Sequence, residues 1–301
     1  MSSDGGTSNT VSNGAIDNAG SSSSIVLQAT TSIDVTAGAS ISVTHGLTMQ
    51  SGGDLSINAG ITAGDDILLA AGGSIASSTL ALNAPVDSLG GGVLLSSGSG
   101  GTIDVEAAVS ANSSSGYATS NTGVISLRTD NLTFGPSARL ATYLYGRLTI
   151  ELAPATPGLA MTVGGSVAAT APGLDVPDLP VSGYTGALVL GAAIDPNTGT
   201  LATTAGSITL AGSLIVGGLN RADLTLDASG SVSQTASLVM GYGTLYGSLG
   251  ATGALTLTDP GNQIENIGSF TAGGDVQLVT NTDLTVADSI TAHDILLEAG
   301  T

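Results

Sequence analysis

His45 and His293 are the two imidazoles in a chain of 301 residues that contains no cysteine. Imidazole chemistry needs a carboxylate, a hydroxyl or a second nitrogen within hydrogen-bond reach. The two histidines lie 248 positions apart, each beside Gly, Thr or Asp, so they read as solvated corner residues that do not share a site. Without Cys there is no disulfide, no thiolate ligand and no thiol nucleophile. Acidic turns could attract Ca²⁺, which takes several oxygen ligands. The phrases GGDLSI at Gly52 and GGDVQL at Gly273 nevertheless lack the middle glycine of a calcium-binding nonapeptide and read as solvated turns. GYGTLYG, Gly241 to Gly247, approaches a dinucleotide-loop pattern, but its last glycine comes one residue late and no helix follows, so it reads as a turn. A phosphate-binding P-loop is impossible without Lys. No catalytic residue, no cofactor and no metal is therefore expected.

Charge excludes further classes. Acidic residues number 23 against four basic ones, all arginine (Arg128, Arg139, Arg147 and Arg221), for a net charge of −19. Counterion release from nucleic acid requires clustered cations, so nucleic acid is not an expected partner. Attraction to an anionic membrane is unsupported for the same reason. No apolar run approaches the ~18 residues of a spanning helix, so no direct membrane insertion is expected.

The elements that carry these residues are short. Aliphatic pairs flanking one outward residue recur as Ile25/Leu27, Ile33/Val35, Ile41/Val43, Leu55/Ile57, Ile67/Leu69 and onward to Val276/Leu278, Leu284/Val286 and Ile295/Leu297. Such period-two alternation marks half-buried strands. Asp34 to Asp54, Ala187 to Ser207 and Asp275 to Asp294 repeat at 20, 20 and 19 residues. A sustained period of that length marks a solenoid. The reading is an all-β parallel β-helix with 19–20 residues per coil, about 12 to 14 coils, and a length on the order of 60 Å. With 45 glycines and 3% aromatic residues, small side chains must close the core. No helix of useful length is expected, and both ends of the rod are expected to lack caps.

The middle departs from the pattern. Seven of nine prolines fall between Pro136 and Pro196, and the stretch from Pro154 to Pro180 is expected to leave the ladder as an irregular, protruding excursion. The resulting division is a polar lead-in at 1–24, solenoid repeats at 25–135, the excursion at 136–186, and repeats again at 187–301. Tyr143, Tyr145, Tyr184, Arg139 and Arg147 gather near the excursion. Any contact with a partner is expected on them, because Tyr and Arg supply contact area at low entropic cost.

The C-terminal phrases GSFTAGGDVQL, DLTVADSITA and HDILLEAG, and the earlier SGGDLSINAGITAGDDILLAAGGSI, resemble repeats of filamentous-haemagglutinin-like exoproteins. The resemblance covers about residues 25 to 110 and 200 to 301. It implies a right-handed parallel β-helix, export by two-partner secretion through an outer-membrane transporter, and a place on the bacterial surface or in the medium. The function it implies is that of a structural stalk or display segment of an adhesin, meeting a glycan or protein of a host or neighbouring cell. The N-terminus shows no signal-peptide pattern and the C-terminus stops within a repeat, so the chain reads as a segment of a longer exported protein.

Parallel β-helices also host pectin-degrading enzymes, which makes a carbohydrate-active or carbohydrate-binding module the alternative. Asp65-Asp66 and Asn281-Thr282-Asp283 look like the acid–base motifs of polygalacturonase-like enzymes, but their order along the chain is reversed and the Gly-His-Gly and Arg-x-Lys companions are absent. The chain is accordingly not expected to be an enzyme. Ice binding stands third, since Thr225, Thr256 and Thr285 occupy outward positions in an otherwise broken array.

Overall fold

A computed structural model describes residues 10–73, 77–112, 122–142, 147–164, 173–176, 179, 181–182, 185–212, 214–216 and 222–300. Local alternation produces short strands, and stacking of like strands buries them. In the first coil Ile25–Ala29, Ile33–Val35 and Ile41–Val43 lie on three successive faces, and Leu47–Ser51 returns to the first. Ile25 then sits over Leu47 and Leu27 over Met49, in parallel register. Repetition of this step makes a parallel β-solenoid.

Among the described residues the first sheet follows a path of eleven strands, from Ile25–Ala29 to Thr285–Val286. Face two is a five-stranded sheet ending at Asn131–Phe134, and face three a six-stranded one beginning at Ile41–Val43. A seven-stranded sheet runs from Leu159–Val163 to Ile295–Ala299 in the C-terminal part. The inward aliphatics form one continuous core from Ile16 to Leu278. Each fully buried Leu or Ile contributes about 1.5–3 kcal/mol of transfer free energy, which offsets the cost of ordering its coil.

Coil length varies more than the sequence period suggests. Leu47 to Ile67 spans 20 residues and Ile267 to Val286 spans 19. Ile150 to Leu188, by contrast, spans 38, and the described residues form eleven levels where 12 to 14 are expected. Asp34/Asp54 and Ala187/Ser207 keep the period but are not stacking relations. Asp34 pairs with Ser56 rather than Asp54. Ala187 lies in the first sheet, whereas Ser207 lies in the seven-stranded one. Only Asp275 and Asp294 stack, as the residues before the paired Val276 and Ile295.

Where it is described, the proline-rich stretch includes laddered strands. Leu159–Val163 and Gly173–Val176 pair with each other in the seven-stranded sheet, with Met161, Val163, Leu174 and Val176 buried. Pro154 and Pro157 fall at the corner between Arg147–Ala153 and Leu159–Val163, where no ladder N–H is needed, so proline flanks the strands instead of breaking them. Residues 165–172, 177–178 and 180 lie outside the described set.

A further correction concerns the N-terminal side. Helix α1 (Asn13–Gly20) starts at Ser12, whose hydroxyl accepts from Ala15 N. Its Ile16 is buried in the core. Asp17 accepts from Ser42 N at 2.7 Å, Thr44 N donates to Gly20 O at 3.1 Å, and Asn13 donates to Ser40 O at 3.2 Å. The helix thereby satisfies the free edge of Ile41–Val43, as a solenoid cap does. Gly20 is required there, because a Cβ would lie 2.2 Å from Val43 Cγ1. The opposite coil, residues 284–299, is laddered on one side, and Val286 and Ile295 are 50% and 48% exposed.

GYGTLYG, read as a turn, lies inside the long strand Leu238–Leu249. Gly241 adopts φ +57° where the register shifts, so glycine here supplies a bend within a strand.

Candidate functional site

Among the described residues one excursion leaves the coils: Ala192–Ile194 pairs antiparallel with Leu201–Thr203. Its loop is closed by Asp195, whose carbonyl accepts from Gly199 N at 2.8 Å and whose carboxylate accepts from Asn197 N at 2.8 Å. The hairpin folds back across the outward side of the first sheet. There Ile194 is buried with Leu68, Leu94 and Val124, an apolar patch separate from the main core. Its amide meets Ser126 Oγ at 2.9 Å and Glu151 Oε2 at 3.1 Å.

These contacts set the electrostatics. Burial under the hairpin pushes the Glu151 carboxyl up from its ordinary value, against the lowering effect of hydrogen bonds from Ser126 and Ile194. Asp195 moves the other way, chiefly because Arg128 donates to it. Arg128 Nη1 stands 2.6 Å from Asp195 Oδ2, and both side chains are mostly buried. Just beyond Arg128, Asp130 accepts from Gly100 N at 2.6 Å and Thr156 N at 2.8 Å, which fixes the strand end carrying the guanidinium.

Beside the hairpin tip runs an open trough of about 620 Å³. Its floor contains one cross-strand row: Gln28, Gln50, Ala70, Ser96 and Arg128 are successive partners in register. All five point outward, because their neighbours Leu27, Met49, Leu69, Leu95 and Leu127 point into the core. Gln28 Nε2 donates to Gln50 Oε1 at 2.7 Å. Long polar side chains thus stand at both ends of the row and small ones in the middle, with Asp195, Pro196 and Asn197 closing one end.

Of the residues singled out from sequence, the two arginines lie away from this trough. Arg139 opens the strand Arg139–Thr142 on face three; it is exposed and donates to Ala138 O at 2.9 Å. Arg147 opens Arg147–Ala153 on face one, also exposed. They flank the corner from face three to face one, whereas the trough follows the corner from face one to face two. Tyr143, Tyr145 and Tyr184 lie outside the described residues. The trough residues escaped sequence reading because Arg128 and Asp195 are 67 positions apart. The 22-residue step from Gln28 to Gln50 was the one available signal.

His293 occupies an exposed corner with Nδ1 3.0 Å from Asp275 and 3.3 Å from Asp294, and these two carboxylates hold its pKa above the ordinary value. His45 lies between Ile41–Val43 and Leu47–Ser51, with Nδ1 3.0 Å from Thr44 Oγ1. Thr225 and Thr285 lie in the first sheet and Thr256 in the seven-stranded one, so they do not form one flat array.

No protein-family model, curated protein or solved structure matches this chain.

Proposed function

We propose that the chain is a stalk and display segment of a secreted bacterial surface adhesin, exported through an outer-membrane transporter of the two-partner type and supporting contact with a host or neighbouring cell. The observation that carries this reading is the unbroken aliphatic core running through eleven stacked levels. At a strand spacing of about 4.8 Å those levels span on the order of 50 Å, a rod that holds its ends apart without a cofactor. A net charge of −19 keeps a long surface with few aromatic residues soluble. The resemblance of the repeat phrases to filamentous-haemagglutinin-like exoproteins points the same way.

The test is a chimera in which this chain replaces the repeat region of such an exoprotein, expressed with its transporter. The expected result is a protease-accessible segment on the cell surface that still supports attachment of the carrier's binding domain. Retention of the chimera inside the cell, or polysaccharide cleavage by the purified chain, would overturn the reading. The trough beside the hairpin favours one second reading, carbohydrate binding.

A further inference from the structure

We infer that the trough along Gln28, Gln50, Ala70, Ser96 and Arg128 is a binding site for a neutral, linear polysaccharide. Four observations converge on that ligand. The row offers side-chain amides, a hydroxyl and an ion pair at regular strand spacing, and a β-linked hexopyranose advances its chain by about the same distance as one strand step. Successive sugars can therefore meet successive coils.

The floor cannot take a peptide by strand addition. Its backbone N–H and C=O groups are already committed to the parallel ladder on both sides of Leu47–Ser51, Ile67–Ala70 and Val93–Ser96. Charge argues for a neutral chain. The one cation in the row already pairs with Asp195, and the protein carries −19 overall, so a polyanion gains little and meets repulsion. The hairpin tip then gives the trough an end wall. Because the Asp195 carboxylate is held by Arg128 and by Asn197 N, both members of the pair keep a fixed geometry toward a ligand hydroxyl.

Among the described residues no aromatic ring lines the trough, so recognition there rests on hydrogen bonds that compete with water. Affinity for a single chain is expected at a Kd on the order of 1 mM, made effective by many copies on one surface. This extends the display reading by naming the class of ligand, yet it is tested on the purified chain, apart from export.

The experiment is an amide-detected NMR titration of the chain with cellohexaose, xylohexaose and chitohexaose, alongside hexagalacturonate and an extended Ser/Thr-rich peptide. The expected result is shifts confined to residues of the row and the hairpin tip with at least one neutral hexaose. Ala70→Gln, which continues the glutamine row and fills the middle, should abolish them with the circular dichroism spectrum unchanged. Gln50→Ala should weaken binding about five- to tenfold, the loss of one or two neutral hydrogen bonds. Shifts that persist in Ala70→Gln, preference for hexagalacturonate or for the peptide, or no shift with any neutral hexaose at 10-fold the expected Kd (~10 mM) would each overturn the proposal and leave the rod reading standing.

Discussion

Between Ile25 and Thr142 the coils turn discrete corners between three sheets, while between Asp223 and Ala299 the third face runs into the first through long bent strands. The two regions share a backbone ladder and solve their corners differently. In the N-terminal part exposed side chains stack: Asn58 donates to Asp34 at 2.8 Å and Asn83 to Asn58 at 2.7 Å. In the C-terminal part the strands Leu238–Leu249 and Gln263–Thr271 pass from one face to the next with register shifts where glycines make room, and one buried amide holds the corner at which they begin. Asn262, fully buried, accepts from Leu238 N and Gln234 Nε2 at 2.8 Å and donates to Val279 O at 2.9 Å. Corners stabilised by surface ladders tolerate change; corners built from buried polar groups and close backbone approaches should not.

The largest expected effect tests what the two regions share. Leu80, fully buried between Leu55 and Ile103, should cost about 3–4 kcal/mol when replaced by Ala, through lost transfer energy and the cavity left behind. Urea unfolding with hydrogen exchange should locate the loss in adjoining levels, and a loss below about 1 kcal/mol would show that the core there is not close-packed. Next comes the contrast itself. Asn262→Ala should destabilise by about 2–3 kcal/mol because it orphans Leu238 N and Val279 O, whereas Asn58→Ala should cost under about 1 kcal/mol. Equal effects would remove the distinction between the corners.

Gly247→Ala sharpens it further. A Cβ would lie 2.5 Å from Phe270 Cε2 and 2.6 Å from Leu226 O, so about 1–2 kcal/mol should be lost in thermal or urea melts. Gly14, with nothing near its absent Cβ, should accept Ala at no steric cost.

The smallest effect is local and concerns the hairpin. Glu151 has its folded pKa raised, so its contribution is full below the ordinary value of 4.5 and is lost as pH rises through the folded value. Asp195, with its folded pKa lowered, contributes fully above 3.8 and loses that contribution as pH falls through the folded value. Protection of the Ile194 amide, corrected for intrinsic exchange, should therefore peak near pH 4, between these ordinary values. Glu151→Gln should flatten its decline above that pH. An unchanged profile in the variant would show that Glu151 does not couple the hairpin to pH.

Strand identity was legible locally because period-two alternation needs only near neighbours. Leu55/Ile57, Ile103/Val105 and Leu224/Leu226 face inward as the pattern requires. Helix α1 could be seen only as a capping Ser12 ahead of a short run, too weak a signal without the edge of Ile41–Val43 to satisfy. Coil length is not legible from spacing alone, since Asp34/Asp54 and Ala187/Ser207 keep the period without stacking.

Sequence alone, then, determined the parallel solenoid, the absence of thiol chemistry and the scarcity of cations, because alternation and composition are properties of short windows and sums. Tertiary structure decided where the hairpin lies, that Arg128 meets Asp195, and that Gln28, Gln50, Ala70, Ser96 and Arg128 form one row. The row depends on coil lengths of 22, 20, 26 and 32 residues, which set the register of every later level. Those lengths follow from how each corner packs, and a one-residue change in any of them would turn a trough-facing side chain into the core.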